Sequence, residues 1–334
     1  MTSSPGASLA LPILDAELEA RLRARMEEVE AALEEVVQSE AGFVTKAARH
    51  LMRAGGKRFR PLLVLLAAET GDPHASGVLT AACVVELTHL ASLYHDDVMD
   101  EAELRRGAES ANARWDNHVA ILTGDFLFSK SSELTAELGD AAVRIQAQTF
   151  TRLVEGQILE TLGPADDEDP LDHYLRVVAG KTGSLIATSA RYGARFAGAP
   201  LEAEEALTEY GEKIGSAFQL SDDILDIMSD SDESGKTPGT DLREGVPTLP
   251  VLFAQRSTDP DDARLLELLG SDLSDDARHA EALDLLRRHP AMAEARSFVI
   301  NRANEARALL KALPEGPARD ALDAFAEVVA TRSA

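Results

Sequence analysis

The stretch LEARLRARMEEVEAALEEV, residues 18–36, places apolar side chains at Leu18, Leu22, Met26, Val29, Leu33 and Val36. Steps of three and four residues put these side chains on one stripe of an α-helix, whereas a half-buried strand would alternate at every second position. The same period recurs along almost the whole chain. Aromatic residues make up only 4%, alanine and leucine dominate, and clusters of β-branched residues are short. Those propensities favour helix over sheet. The expected fold class is all-α.

Glycine, proline and acidic residues interrupt the periodic runs at Gly55-Gly56, Gly71 to Pro73, Gly163 to Pro170, Ser231 to Pro247, Ser257 to Asp262, Gly270 to Asp276 and Pro314 to Pro317. Each reads as a loop between helices. None is long or biased enough to be an interdomain linker, and no fixed-period repeat is visible. The 334 residues suffice for a large core. The expectation is one helical domain over residues 13–334, preceded by a flexible N-terminus over residues 1–12.

Lys plus Arg number 33 against 58 Asp plus Glu, a formal charge of −25. Such a surplus repels nucleic-acid backbones and anionic lipid, so neither partner is expected. One cysteine, Cys83, lies in an apolar run, which excludes an intrachain disulfide and a paired-cysteine zinc site. A buried, inert thiol is the expectation. Residues Met1 to Leu11 lack a basic, then apolar leader pattern, and no run approaches ~18 uncharged apolar residues. A cytoplasmic protein without stable membrane insertion is therefore expected.

Asp-Asp pairs begin at Asp96, Asp166, Asp222, Asp261 and Asp275. Those at Asp166, Asp261 and Asp275 sit among Pro, Ser and Glu and read as solvated turns or helix starts. The other two end apolar helical runs and carry a third aspartate at the same offset: Asp96-Asp97-Val98-Met99-Asp100 and Asp222-Asp223-Ile224-Leu225-Asp226. Residues four apart share a helix face, so Asp96 with Asp100, and Asp222 with Asp226, form carboxylate pincers. Either triplet alone could be an N-cap or a surface acid pair. Two copies point to hard oxygen ligands for Mg²⁺, an ion that keeps waters and shares its shell with phosphate oxygens. An EF-hand is disfavoured, because its ligand order and central glycine are missing.

In a chain short of cations, Lys57, Arg58 and Arg60 cluster beside Gly55-Gly56, and Arg105-Arg106-Gly107 follows the first triplet. Guanidinium forks beside exposed backbone amides suit a second phosphate group held without metal. His89 lies two helical turns before Asp96 on its face; it is either a satisfied core residue or a phosphate donor. Lys181-Thr182, Gln219 and Lys236 are further candidates.

GGKRFRP (55–61), HLASLYHDDVMD (89–100), RRG (105–107), GKT (180–182), FQLSDDILD (218–226) and GKTPGTDLREG (235–245) occur in that order. Together they resemble the trans-polyprenyl diphosphate synthase family. The resemblance implies a helical bundle of the type I isoprenoid synthase fold around a deep central cavity, in a homodimer that condenses isopentenyl diphosphate head-to-tail onto an allylic diphosphate. It implies three Mg²⁺ ions on the allylic diphosphate, bound by Asp96, Asp100 and Asp222, with Asp97, Asp223 and Asp226 in support. Arg105, Lys181 and Lys236 would contact the same diphosphate. Lys57, Arg60, His89 and Arg106 would hold isopentenyl diphosphate, and Thr182 and Gln219 would line the reacting centre. One departure stands out: many relatives have Lys after the Glu-Gly of the late loop, where this chain has Val246.

Within the family, the residues one turn before the first aspartates limit product length, and here they are Ala91 and Ser92. Small side chains leave that space open, which disfavours farnesyl-length products. A floor deeper down could be Phe150 or Leu153, or both could be ordinary core. The expected product is all-trans and medium or long, about seven to nine isoprene units, with geranylgeranyl diphosphate as the alternative. A class I terpene cyclase is disfavoured by the second aspartate triplet and by Lys57 and Arg60. A non-catalytic partner subunit is disfavoured because both triplets are intact.

Overall fold

Apolar stripes of this kind must pack against one another, and the chain does so as helices. The computed structural model describes Leu9, residues 11–228 and residues 238–332. Through the first half run α1 (Ala16–Val36), α2 (Gly42–Arg53), α3 (Phe59–Ala68), α4 (Ser76–Met99), α5 (Ala111–Arg114), α6 (Asn117–Glu137) and α7 (Asp140–Leu162). Next come α8 (Pro170–Val178), a π-helical turn (Ala179–Gly183), α9 (Ser184–Phe196) and α10 (Leu201–Met228). The remainder contains α11 (Thr240–Glu244), α12 (Leu249–Ala254), α13 (Ala263–Leu269), α14 (Asp276–Arg288), α15 (Ala291–Leu309) and α16 (Pro317–Thr331). Sheet among the described residues is confined to β1 (Leu104–Arg105) paired antiparallel with β2 (Ala108–Glu109).

Contacts divide the chain into two compact units. The described residues of the first fall within Met1–Phe150, Leu185–Gly211 and Leu310–Ala324; those of the second fall within Thr151–Ser184, Glu212–Leu309 and Phe325–Ala334. In the first unit α1 starts where the Asp15 carboxylate accepts from the Leu18 amide at 2.7 Å, an N-cap that satisfies an orphan donor. Leu18, Leu22, Val29 and Leu33 are buried, as the period requires, while Met26 and Val36 are half-buried. Helices α1 and α3 pack on α4, whose other main partner is α6.

Buried tyrosines fasten this unit, because each apolar ring must also find a partner for its hydroxyl. Tyr94 on α4 donates to the Ala47 carbonyl of α2 at 2.5 Å and accepts from the Leu51 amide at 3.2 Å. Tyr192 donates to Ala142 and Tyr210 to Leu322, both at 2.8 Å. Cys83 is buried on α4, where burial first and then Glu30 and Glu86 push its thiol up to about 12. It is the buried core thiol that its apolar context implied.

In the second unit, the Asp169 carboxylate caps α8 by accepting from the Leu171 and Asp172 amides at 2.8 and 3.1 Å. Helix α12 is buried throughout and packs on α15, with the Phe253 and Phe298 rings edge to face at 6.1 Å.

One sequence expectation needs correction. Helix α4 is long and apolar enough, by length and composition, to cross a membrane, although no run had been expected to approach that; averaging over the window absorbs Glu86 and His89. Its most apolar window is 61% buried within the protein, as a core helix would be. The N-terminal expectation for residues 1–12 falls largely outside the described residues, but Leu11 is buried.

Candidate active site

The first aspartate triplet occupies the last turn of α4, where the Asp100 amide donates to the Asp96 carbonyl at 2.8 Å and the helix stops. Carboxylates at a helix C-terminus oppose the helix dipole. These residues are therefore not N-caps, and helix stability does not account for them. Asp96 is half-buried, Asp97 fully buried and Asp100 exposed. Arg105 Nε donates to Asp97 Oδ1 at 2.5 Å, and its Nη2 lies 3.8 Å from Asp100 Oδ2. Asp97 Oδ2 is buried without a hydrogen-bond partner. Burial raises the Asp97 pKa, against the lowering pull of Arg105.

Arg105 reaches Asp97 because RRG forms a tight hairpin. Arg106 and Gly107 have φ of +55° and +75° between β1 and β2, the signature of a two-residue type I′ turn. Arg106 Nη1 donates to the Gly55 carbonyl and lies 3.5 Å from the Leu51 carbonyl. Gly56, at φ +135°, makes room for it: a Cβ there would stand 2.6 Å from Arg106 Nη1.

Arg58 has φ +48° and is held by Glu30 at 2.5 Å, buried Glu86 at 2.9 Å and the Met52 carbonyl at 2.7 Å. Its charge is thus committed to fastening the loop before α3. Arg60 differs. Its Nε is buried without a hydrogen-bond partner, and burial pulls its pKa down to about 10, with Glu86 opposing and Arg106 adding to the fall. His89 lies within the field of Arg60, Arg106, Arg58 and Arg105; burial, then those cations, push its pKa well below the ordinary value, so the imidazole is neutral at pH 7. Lys57 is exposed beside this group. In the first unit the structure thus brings Arg60, Arg106 and His89 together.

The second triplet lies in the last two turns of α10 in the second unit, again at the unfavourable end of a helix dipole. Asp222 is exposed and meets Arg332 Nη2 at 2.9 Å. Asp223 is buried; the Tyr174 hydroxyl donates to its Oδ2, and Gln219 Nε2 donates to its Oδ1 at 3.0 Å. Burial raises its pKa to about 7. Gln219 Oε1 accepts from Thr182 Oγ1 at 3.2 Å, completing a chain from Thr182 through Gln219 and Asp223 to Tyr174. Asp226 Oδ2 accepts from the Asp241 amide at 3.2 Å and its carbonyl from Gly239 at 2.8 Å, so this residue fastens the start of α11.

Lys181 and Thr182 stand in the π-helical turn, a device often found at functional sites. Lys181 Nζ lies 2.5 Å from Glu160 Oε2. The turn abuts α7 so closely that a Cβ on Gly156 would stand 2.6 Å from the Lys181 amide nitrogen. Arg152 on α7 pairs with Glu212 on α10. Lys236 lies outside the described residues.

Of the product-length candidates, Ala91 is fully buried, whereas Ser92 is half-buried and donates to the His89 carbonyl at 2.8 Å. The Phe150 ring packs against that of Phe128 at 4.5 Å, tilted by 58°, and lines a cleft with His95, Asp125 and Ser132. Leu153 is buried.

Among the described residues, no three acids or histidines lie close enough to enclose a metal by themselves. The donors at both helix ends are all carboxylate oxygens, and Asp97 Oδ2 is an orphan. Each triplet, taken within its own unit, offers the oxygen donors that suit a hard cation whose remaining shell is water and phosphate. Tyr174 and Arg332 escaped the sequence reading. Tyr174 could have been noticed seven residues before Lys181, whereas nothing local marks Arg332.

A helical chain with an aspartate triplet closing each of two helices, and a separate arginine cluster, defines the type I isoprenoid synthase class of prenyltransferase. Residues 42–286 match the family model described as polyprenyl synthetase. A nonaprenyl diphosphate synthase from Mycobacterium tuberculosis is 50% identical over 319 residues, covering 95% of each chain. A geranylgeranyl pyrophosphate synthase from Corynebacterium glutamicum, crystallised with calcium and isoprenyl diphosphate, superposes with a TM-score of 0.88 at 46% identity, covering 96% of this chain and 99% of that one. A decaprenyl diphosphate synthase from Rhodobacter capsulatus gives 0.87 at 34% identity, covering 95% and 99%. The chain belongs to the polyprenyl synthetase family.

Proposed function

We propose that the protein condenses isopentenyl diphosphate head-to-tail with an allylic diphosphate, using Mg²⁺, to make an all-trans polyprenyl diphosphate of about seven to nine isoprene units. The observation that carries this reading is the placing of both aspartate triplets at helix C-termini, where they cost stability unless a cation offsets them. Arg60, Arg106 and His89 supply the complement. The two guanidiniums gathered there beside a neutral imidazole call for an anion, which suits a second diphosphate that a cyclase would not hold.

Asp96, Asp100 and Asp222 are the proposed metal ligands for three ions, with Asp97, Asp223 and Asp226 in support. Bound Mg²⁺ supplies neutralisation of the charge that builds on the leaving diphosphate. Arg105 and Lys181 add hydrogen bonds to that group as the allylic C1–O bond breaks. Lys57, Arg60, His89 and Arg106 hold isopentenyl diphosphate, His89 as a neutral N–H donor. Its double bond attacks C1, and the proton lost from the new cation passes to the departed diphosphate, so no dedicated side-chain base is needed. Thr182 and Gln219, locked together, line the reacting centre from which water is kept out.

The relative at 50% identity supports the long product. Geranylgeranyl diphosphate is the second reading, favoured by the structural neighbour at 46% identity. One catalytic domain, a homodimer and a cytoplasmic address without membrane insertion complete the proposal. Incubating purified protein and Mg²⁺ with isopentenyl and farnesyl diphosphates tests it. A ladder of longer diphosphates is expected, ending near C35 to C45; a stop at C20 favours the second reading. Released hydrocarbon would point to a cyclase, and no turnover by the protein alone to a partner subunit.

A further inference from the structure

The side chain that meets Asp222 comes from just beyond α16, within the second unit. Arg332 Nε donates to the Ser221 hydroxyl at 2.8 Å, and Nη2 donates to the Phe218 carbonyl at 2.5 Å as well as pairing with Asp222 Oδ1. Its guanidinium carbon stands 4.0 Å from the centre of the Phe218 ring, which in turn stacks with Phe325 at 6.3 Å. Ser221 is fully buried, and the Arg332 side chain is 19% exposed against 47% for Asp222.

Exposed ion pairs between two long, mobile side chains contribute little. This pair is built differently. The stack, the hydroxyl and the carbonyl fix the guanidinium without help from Asp222, so the arginine orients the carboxylate. With Nε held by Ser221, Nη2 of the rigid, planar guanidinium engages Oδ1 and so restrains where that oxygen points. Hydrogen bonds to ligating carboxylates commonly tune metal affinity in this way.

We propose that Arg332 is a positioning residue that holds Asp222 in the orientation needed for metal and diphosphate. The proposal rests on Asp222 being a metal ligand. Arginine near a metal ligand also repels the incoming cation, which gives the opposite sign: a competitor would weaken binding, and its removal would tighten it.

Equilibrium titration with Mn²⁺ in the presence of inorganic diphosphate, reading free Mn²⁺ by electron paramagnetic resonance, separates these outcomes. Arg332→Ala is expected to weaken Mn²⁺ binding about tenfold or more. Arg332→Lys should not restore it, because an ammonium lacks the fork. Ser221→Ala, which removes one anchor and keeps the charge, should weaken binding in the same direction but less. Unchanged or tighter binding in Arg332→Ala overturns the proposal, as does a fall in melting temperature with Mn²⁺ affinity intact. Should Arg332→Ala fail to fold, Ser221→Ala decides, and unchanged affinity there overturns it. Wild-type protein that binds no Mn²⁺ with diphosphate would instead overturn the metal reading of Asp222 itself.

Discussion

Asp223 shows how one side chain ties stability to the reacting centre. Buried beneath Tyr174 and Gln219, its carboxyl is raised to about 7, whereas in an unfolded chain it titrates near ~3.9. Between those values the folded, metal-free protein keeps a proton that the unfolded chain has released, so stability falls as pH rises through that window. Asparagine at this position keeps the shape and cannot ionise. Urea unfolding of metal-free wild type should lose about 3 kcal/mol more than Asp223→Asn between pH 5 and pH 8, at ~1.4 kcal/mol per pH unit. Equal slopes would mean that Asp223 ionises normally. The triplets themselves were legible in the sequence, because an offset of four is a local pattern. Their partners were not: Tyr174 joins Asp223 across 49 positions and Arg332 joins Ser221 across 111, and such pairings leave no periodic trace.

Elements were legible where one period ran unbroken, as in α1, and less so where local chemistry departs from it. The RRG hairpin lies inside a chain read as helical, because two residues at positive φ make a turn too short to register as a strand pattern. The π-helical turn is a helix in pattern; what marks it is Gly180 and Gly183, which admit α7 and α10. Gly156→Ala puts a methyl group 2.6 Å from the Lys181 amide, where backbone, rather than a flexible side chain, must yield. A loss of ~1–3 kcal/mol is expected, with a lower kcat as Lys181 and Thr182 shift. Melting curves with steady-state rates check it; unchanged values of both would show that the turn is free to move. On α4, Ser92→Phe should shorten the products while elongation continues. Mass spectrometry of extracted products reads this directly, and an unshifted distribution would remove Ser92 from the wall.

At the scale of the whole molecule, a charge of −25 makes every buried or clustered cation informative. Arg58 is consumed in holding its loop, whereas Arg60 is not, and the sequence alone could not separate the two. Composition and motif order disclosed the fold class and the family. Product length stayed out of reach because it depends on how deep a space distant side chains leave, which no local pattern records. The claim on which the mechanism depends is that both aspartate triplets act in one ionisation step. A double-mutant cycle on kcat with Asp96→Asn and Asp222→Asn tests it most directly, since residues acting as a unit are strongly non-additive. Each single variant is expected to lose about a hundredfold or more, and the double variant far less than the product of the two losses. A double loss equal to that product, or full activity in either single variant, would contradict a shared role.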